Sequence, residues 1–172
     1  MGNYEESIAI QIWKRYWDDF YIGIETPSGE RFVVPKDESI YEYKSLNETI
    51  YVYVGTATPY SYNSEMLIQI IPDNAYIKSG IWQITFYPDN IKDGRIDLWI
   101  SGRTVLTGQT GFAGAVPETT LTIPSTSYRV ITVGAYNGRT FSYAPFSGRG
   151  NTKNLVTGSD PLVAVSYTHL RA

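Results

Sequence analysis

The stretch TTLTIPSTSYRVITVGAYNGRTFSYAPFSGRG, residues 119–150, differs in kind from the sequence before it. It opens with a loop of small residues around a proline, Ile123-Pro124-Ser125-Thr126, and runs into an apolar segment through Val130, Ile131 and Val133. The backbone then drops to Gly134 and Ala135, and the stretch closes on Phe146-Ser147-Gly148-Arg149-Gly150. A short β-branched run between Pro and Gly reads as one strand buried on both faces, the kind that parallel sheets contain. A scaffold of α/β type is the expectation for this stretch.

Upstream, the pattern is that of antiparallel strands with one buried face. Ile8, Ile10 and Ile12 alternate with Ala9 and Gln11, the period-two signature of a strand. The residues that follow, Trp13-Lys14-Arg15-Tyr16-Trp17-Asp18-Asp19, are too polar for a core strand and too few for a helix. Further strands are expected at 20–24, 31–34, 40–43, 49–54, 66–71, 81–87 and 95–100. Pro27-Ser28-Gly29-Glu30 suits a tight hairpin turn, and the other separators are Thr58-Pro59-Tyr60, Pro72-Asp73-Asn74, Pro88-Asp89-Asn90 and Lys92-Asp93-Gly94. Trp82, Ile84 and Phe86 share one side of their strand, while Ile96, Leu98 and Ile100 face in and leave Asp97 and Trp99 outward. Many short strands with no helical pattern between them predict a mainly β fold, an antiparallel β-sandwich of jelly-roll type, over 1–106. Residues 107–118 lose all periodicity and read as a connector.

Composition agrees with a folded chain of 172 residues, 42% hydrophobic and only 18% charged. The formal charge of -3, with no run of Lys or Arg longer than two, excludes the basic face that nucleic acid requires. There is no cysteine, so neither a disulfide nor a thiolate zinc site is available. No apolar run approaches the roughly 18 residues of a membrane span. Fifteen Tyr, four Trp and six Phe fit a β-rich domain, whose pleated, half-buried surfaces accommodate rings.

The turn Ile123-Pro124-Ser125, the strand Val130-Ile131-Thr132-Val133-Gly134-Ala135 and the loop Phe146-Ser147-Gly148-Arg149-Gly150 together resemble the subtilisin-like serine proteases, in which such segments follow in this order and spacing. With Ser142-Tyr143-Ala144-Pro145 included, the string is most similar to the subclass that carries a β-domain inserted in the catalytic domain, as in the clostridial spore-germination proteases. The resemblance implies a mainly β fragment: a jelly-roll-like insert, then at 119–150 a short, incomplete piece of the subtilisin α/β scaffold. It implies that Ile123, Pro124 and Ser125 form one wall of the pocket for the residue before the cleaved bond, with Pro124 in cis, and that Phe146 stands on the leaving-group side. Backbone carbonyls near Ser125, Ser127 and Val130 match a weak cation site of some relatives. The expected partners are a peptide or protein substrate and the rest of the catalytic domain, and the expected place is extracellular or spore-associated in a bacterium. No cofactor is implied, though the parent enzyme has room for a structural calcium. Beyond Gly150 the resemblance stops: 151–172 diverges, and 166–172 reads as a translated sequencing adapter.

The family's Asp, His-Gly-Thr and Gly-Thr-Ser-Met-Ala motifs are not in this sequence, so the catalytic triad is expected outside it and the fragment is expected to be inactive alone. His169, the single histidine, lies in the divergent tail. Ser125, Ser127, Ser142 and Ser147 have no nucleophile-elbow pattern and read as turn and loop residues. Asp18, Asp19, Asp73, Asp89, Asp93 and Asp97 are mostly turn formers without the spacing of a calcium loop, leaving the Asp89/Asp93 turn as the one calcium candidate. The alternative class is a carbohydrate- or protein-binding module, because sugar faces stack on exposed rings; Trp99, Tyr60 and Tyr62 are its candidate residues.

Overall fold

The computed structural model describes residues 4–59, 61–101, 106–107, 110–116, 120–121, 132–144, 147–149 and 165–167. The chain divides into two compact units, Met1–Phe112 and Ala113–Ala172.

Unit 1 holds eight strands: β1 (Ile8–Arg15), β2 (Asp19–Glu25), β3 (Arg31–Val34), β4 (Ser39–Lys44), β5 (Glu48–Val54), β6 (Asn63–Pro72), β7 (Gln83–Asn90) and β8 (Ile96–Ile100). They form a five-stranded sheet in the order β4-β5-β6-β1-β8 and a three-stranded sheet in the order β3-β2-β7. Every pairing in these two sheets is antiparallel. The fold is mainly β, and among the described residues no helix occurs.

The alternation in the sequence builds the core in rows across the larger sheet. Val52, Ile68, Ile10 and Ile100 stand opposite one another on β5, β6, β1 and β8, and Val54, Met66, Ile12 and Leu98 form the next row. Phe20, Ile22 and Ile24 of β2, with Val34 of β3, close the cluster from the other sheet. Phe20 meets Phe86 edge to face, with ring centroids 5.4 Å apart. The two sheets therefore form a sandwich around one apolar core. Each fully buried Ile, Val or Phe contributes about 1.5–3 kcal/mol relative to exposure.

Two segments differ from the sequence expectation. Strand β1 continues through Trp13, Lys14 and Arg15, because its inner positions need only alternate residues and the polar ones find other partners. Lys14 takes an inward position but reaches the Asp18 carbonyl, and Arg15 pairs with Asn63 across to β6. Strand β7 runs through Pro88-Asp89-Asn90, which reads as a turn. Proline is tolerated there because β7 is the edge of its sheet, next to the register shift at Asp19/Phe20.

Buried polar groups fix the connections. In the β2–β3 hairpin Thr26 Oγ1 accepts the N–H groups of Ser28 and Glu30, and Gly29 takes φ 85°, where a side chain would be strained. Glu48 is buried and accepts from Ser45 Oγ and the Lys78 N–H. Asp18, also buried, accepts the N–H groups of Lys92, Asp93 and Gly94 at 2.7, 3.0 and 2.9 Å, which holds the β7–β8 loop. Glu5 accepts from the Thr107 N–H at 2.7 Å, from the Thr107 hydroxyl and from the Thr110 hydroxyl at 2.6 Å. Residues on either side of the eight strands are thereby joined.

Burial alone would raise the pKa of Asp18 and of Glu5. The backbone donors of Asp93, Lys92 and Gly94 outweigh it for Asp18, the Thr107 and Thr110 donors outweigh it for Glu5, and both carboxyls titrate below their ordinary values.

In unit 2, β9 (Thr132–Gly134) pairs in parallel with β12 (Val165–Tyr167), and β10 (Tyr136–Asn137) pairs antiparallel with β11 (Ser142–Tyr143). Two residues of β12 belong to the segment read above as an adapter remnant. The strand around Val133 is parallel-paired but is not buried on both faces: Val133 is 49% exposed. An apolar run bounded by Pro and Gly reports the strand but not how many layers cover it.

Replacing Ile68 by Ala should lower unfolding free energy by about 2–5 kcal/mol in urea titrations, the usual cost of a core cavity. A carboxyl with a depressed folded pKa stabilises above its unfolded pKa, and that contribution is lost as pH falls through the folded value. Stability should therefore hold from neutral pH down to the ordinary carboxylate range and decline below it. Asp18→Asn should lower the urea midpoint at neutral pH and flatten this acid decline, as followed by circular dichroism.

Candidate functional site

The residues expected at the peptide pocket, Ile123, Pro124, Ser125 and Phe146, lie outside the described residues, as do Ser127, Val130, Tyr60 and His169. What is described is the backbone that flanks them. The Thr120 N–H donates to the Arg149 carbonyl at 2.8 Å, and the Arg149 N–H returns to Thr120 Oγ1 at 2.9 Å. Thr120, which precedes Ile123-Pro124-Ser125 in the chain, and Arg149, which follows Phe146, are thus hydrogen-bonded to each other. After β9, the Ala144 N–H donates to the Ala135 carbonyl, and the Ala135 N–H to Ser147 Oγ at 3.1 Å. Ser147 is a loop-fixing hydroxyl in this arrangement.

Gly148 is required by the close approach of these segments. A Cβ there would stand 2.9 Å from the Thr120 carbonyl oxygen and 3.3 Å from Leu121 Cδ2. The flank is braced by the Arg149 guanidinium, 4.7 Å from the Tyr143 ring centroid.

The carboxylates are distributed rather than gathered. Asp89 pairs with Lys36 at 2.6 Å, Asp93 with Arg15 at 3.1 Å and Asp97 with Arg95 at 3.0 Å, while Asp73 accepts from Thr49 Oγ1. Among the described residues no group of three or more acidic or histidine side chains is placed to hold a metal ion, and no helix is long and apolar enough to cross a membrane.

Of the ring candidates, Trp99 is half-buried on β8 opposite Gln11, whereas Tyr62 is exposed just ahead of β6. The structure does not bring these two together. Tyr62 instead joins Tyr16 and Trp17, which the sequence reading passed over. The Tyr16 and Tyr62 rings are stacked, with centroids 6.4 Å apart and planes 24° apart, and Trp17 contacts both at 4.9 and 6.2 Å. Tyr16, Ala57, Thr58, Pro59, Ser61 and Tyr62 line an open cleft of about 520 Å³ at this end of the sandwich. The signal that could have found it is an aromatic pair at a strand end, Tyr16-Trp17, facing a Pro- and Ser-containing connection.

No family model and no curated protein matches the chain. With both units in view, the chain is similar to a protease. The solved structure concerned is the CspB protease of Clostridium perfringens, 32% identical with a TM-score of 0.75. The match covers 86% of this chain and 31% of that one, so the chain spans about a third of the length of the protease. At this identity the likeness is one of sequence as well as of fold.

Gly148→Ala should force the Thr120 and Arg149 segments apart at a cost of about 1–3 kcal/mol, the range for overpacking. Hydrogen exchange should then show loss of protection at the Thr120 and Arg149 amides while unit 1 amides are unchanged.

Proposed function

We propose that this chain is a segment of a subtilisin-like serine endopeptidase, comprising an inserted jelly-roll-like β-domain and a short part of the catalytic scaffold. The observation that carries the reading is the 32% identity to the CspB protease over 86% of the chain, which spans the β-sandwich and part of unit 2. The motif at 119–150 supports it independently. So does Glu5: by bonding Thr107 and Thr110 it brings the two ends of unit 1 side by side, as an insertion between neighbouring points of a host domain requires.

In this reading peptide-bond hydrolysis runs through an acyl-enzyme. A serine attacks the carbonyl, a histidine moves the proton and an aspartate orients the histidine, all three supplied by the parent outside this segment. Ile123, Pro124 and Ser125 contribute a wall of the pocket for the residue before the scissile bond, and Phe146 stands on the leaving-group side. The substrate is a peptide or protein, and the segment without its triad has no hydrolytic activity of its own.

Purified 1–172 should release no more fluorophore from labelled casein than buffer does over a day. Turnover by the segment that is abolished by a serine-directed fluorophosphonate would overturn its inactivity. In the parent enzyme, Ser125→Phe should fill the pocket, raising KM for substrates with a large residue before the scissile bond at least about tenfold, a change of about 1.4 kcal/mol, with smaller residues affected less.

A further inference from the structure

We infer that the cleft between Tyr16 and Tyr62 is a binding site for a neutral glycan. The volume, about 520 Å³, falls in the range of small-ligand sites. Both residues are open to solvent, Tyr16 at 50% and Tyr62 at 68% exposure, with ring planes only 24° apart. Aromatic side chains left this open are apolar platforms with a polar tip, which suits the C–H faces and hydroxyl rims of sugars.

The lining decides the charge of the ligand. Its remaining described residues are Ala57, Thr58, Pro59 and Ser61, so there is no ionised side chain among the described lining residues. Arg15, at the end of β1, is turned to other partners: it donates to Asp93 at 3.1 Å and to Asn63 at 3.1 Å, and lies 6.0 Å from the Trp17 ring. Among the described lining residues an acidic ligand would meet no counter-charge. A proline-rich peptide also recognises aromatic walls and is the competing class of ligand.

The platform is fixed before any ligand arrives. The Tyr16 N–H donates to the Tyr62 carbonyl at 2.9 Å, extending the β1–β6 ladder by one residue. The Ser61 N–H donates to the Thr58 carbonyl, Ser61 Oγ exchanges hydrogen bonds with Asn63, and Trp17 contacts both tyrosine rings. Little ordering cost remains for binding to meet.

The test uses 1–172 with cellopentaose, maltopentaose and chitopentaose as neutral probes and a proline decapeptide as the competing class. Saturation-transfer NMR and calorimetry should detect at least one pentasaccharide at millimolar concentration. Tyr62→Ala and Tyr16→Ala should each weaken it about tenfold or more, and Tyr62→Phe, which keeps the ring face, should stay within about threefold. Urea midpoints report whether each variant is folded, and the Phe variant keeps the test decisive if an Ala variant is not. Absence of binding by all three sugars, or sugar binding indifferent to both Ala variants, overturns the inference. Binding of the decapeptide alone, lost in Tyr62→Ala, overturns it in favour of a peptide site. None of these outcomes touches the protease reading, which rests on the likeness to the CspB protease and on the motif at 119–150.

Discussion

The register between β6 and its neighbours β1 and β5 is the constraint from which the sandwich follows. A slip of one residue would turn Met66, Ile68 and Ile70 to solvent and bring Glu65, Leu67 and Gln69 against Phe20 and Ile22, because the side-chain period of a strand is two. Ile10 and Val52 stand directly across from Ile68, so the apolar rows lock three strands at once, and the edge strands β4 and β8 add to rows already set.

Carboxylates do the corresponding work where the chain leaves the strands. Asp18, Glu48 and Glu5 are buried, yet each accepts at least two hydrogen bonds, and their donors lie far along the chain at Lys92 to Gly94, Lys78 and Thr107 to Thr110. An unpaired carboxylate would be costly to bury. Satisfied by backbone N–H groups and hydroxyls, it specifies which loop comes back to which strand. This is how connections without periodicity acquire fixed positions.

The strands were legible in the sequence because alternation is a local property. All eight of unit 1 lie where Ile, Val and aromatic residues alternate, and the Pro27 to Glu30 turn was legible from proline and from glycine's access to positive φ. What escaped was what depends on neighbours. Trp13 to Arg15 remain in β1 because β6 and β8 continue beside them, and Pro88 fits β7 because that strand lies at an edge. The exposure of Val133 likewise depends on layers that a run of β-branched residues does not report. Tyr62 was legible as a ring at a loop, but its partners Tyr16 and Trp17 come from 45 or more positions away, and pairing rings across such a distance needs the fold. The residues proposed for a peptide pocket were reached by motif resemblance, not by physics of the residues themselves, which is why that proposal rests on the likeness to a protease.

The bond from Glu5 to Thr107 and Thr110 bears on any chain that unit 1 interrupts. With those ends joined, roughly a hundred residues behave, for the host, as a short link. Unfolded, the same residues become a loop that the host must close itself, at about (3/2)RT ln n, or about 4 kcal/mol for n about 100. The folding of the two parts is then thermodynamically coupled: whatever destabilises the sandwich is felt by the host as lost chain entropy, without any contact between them.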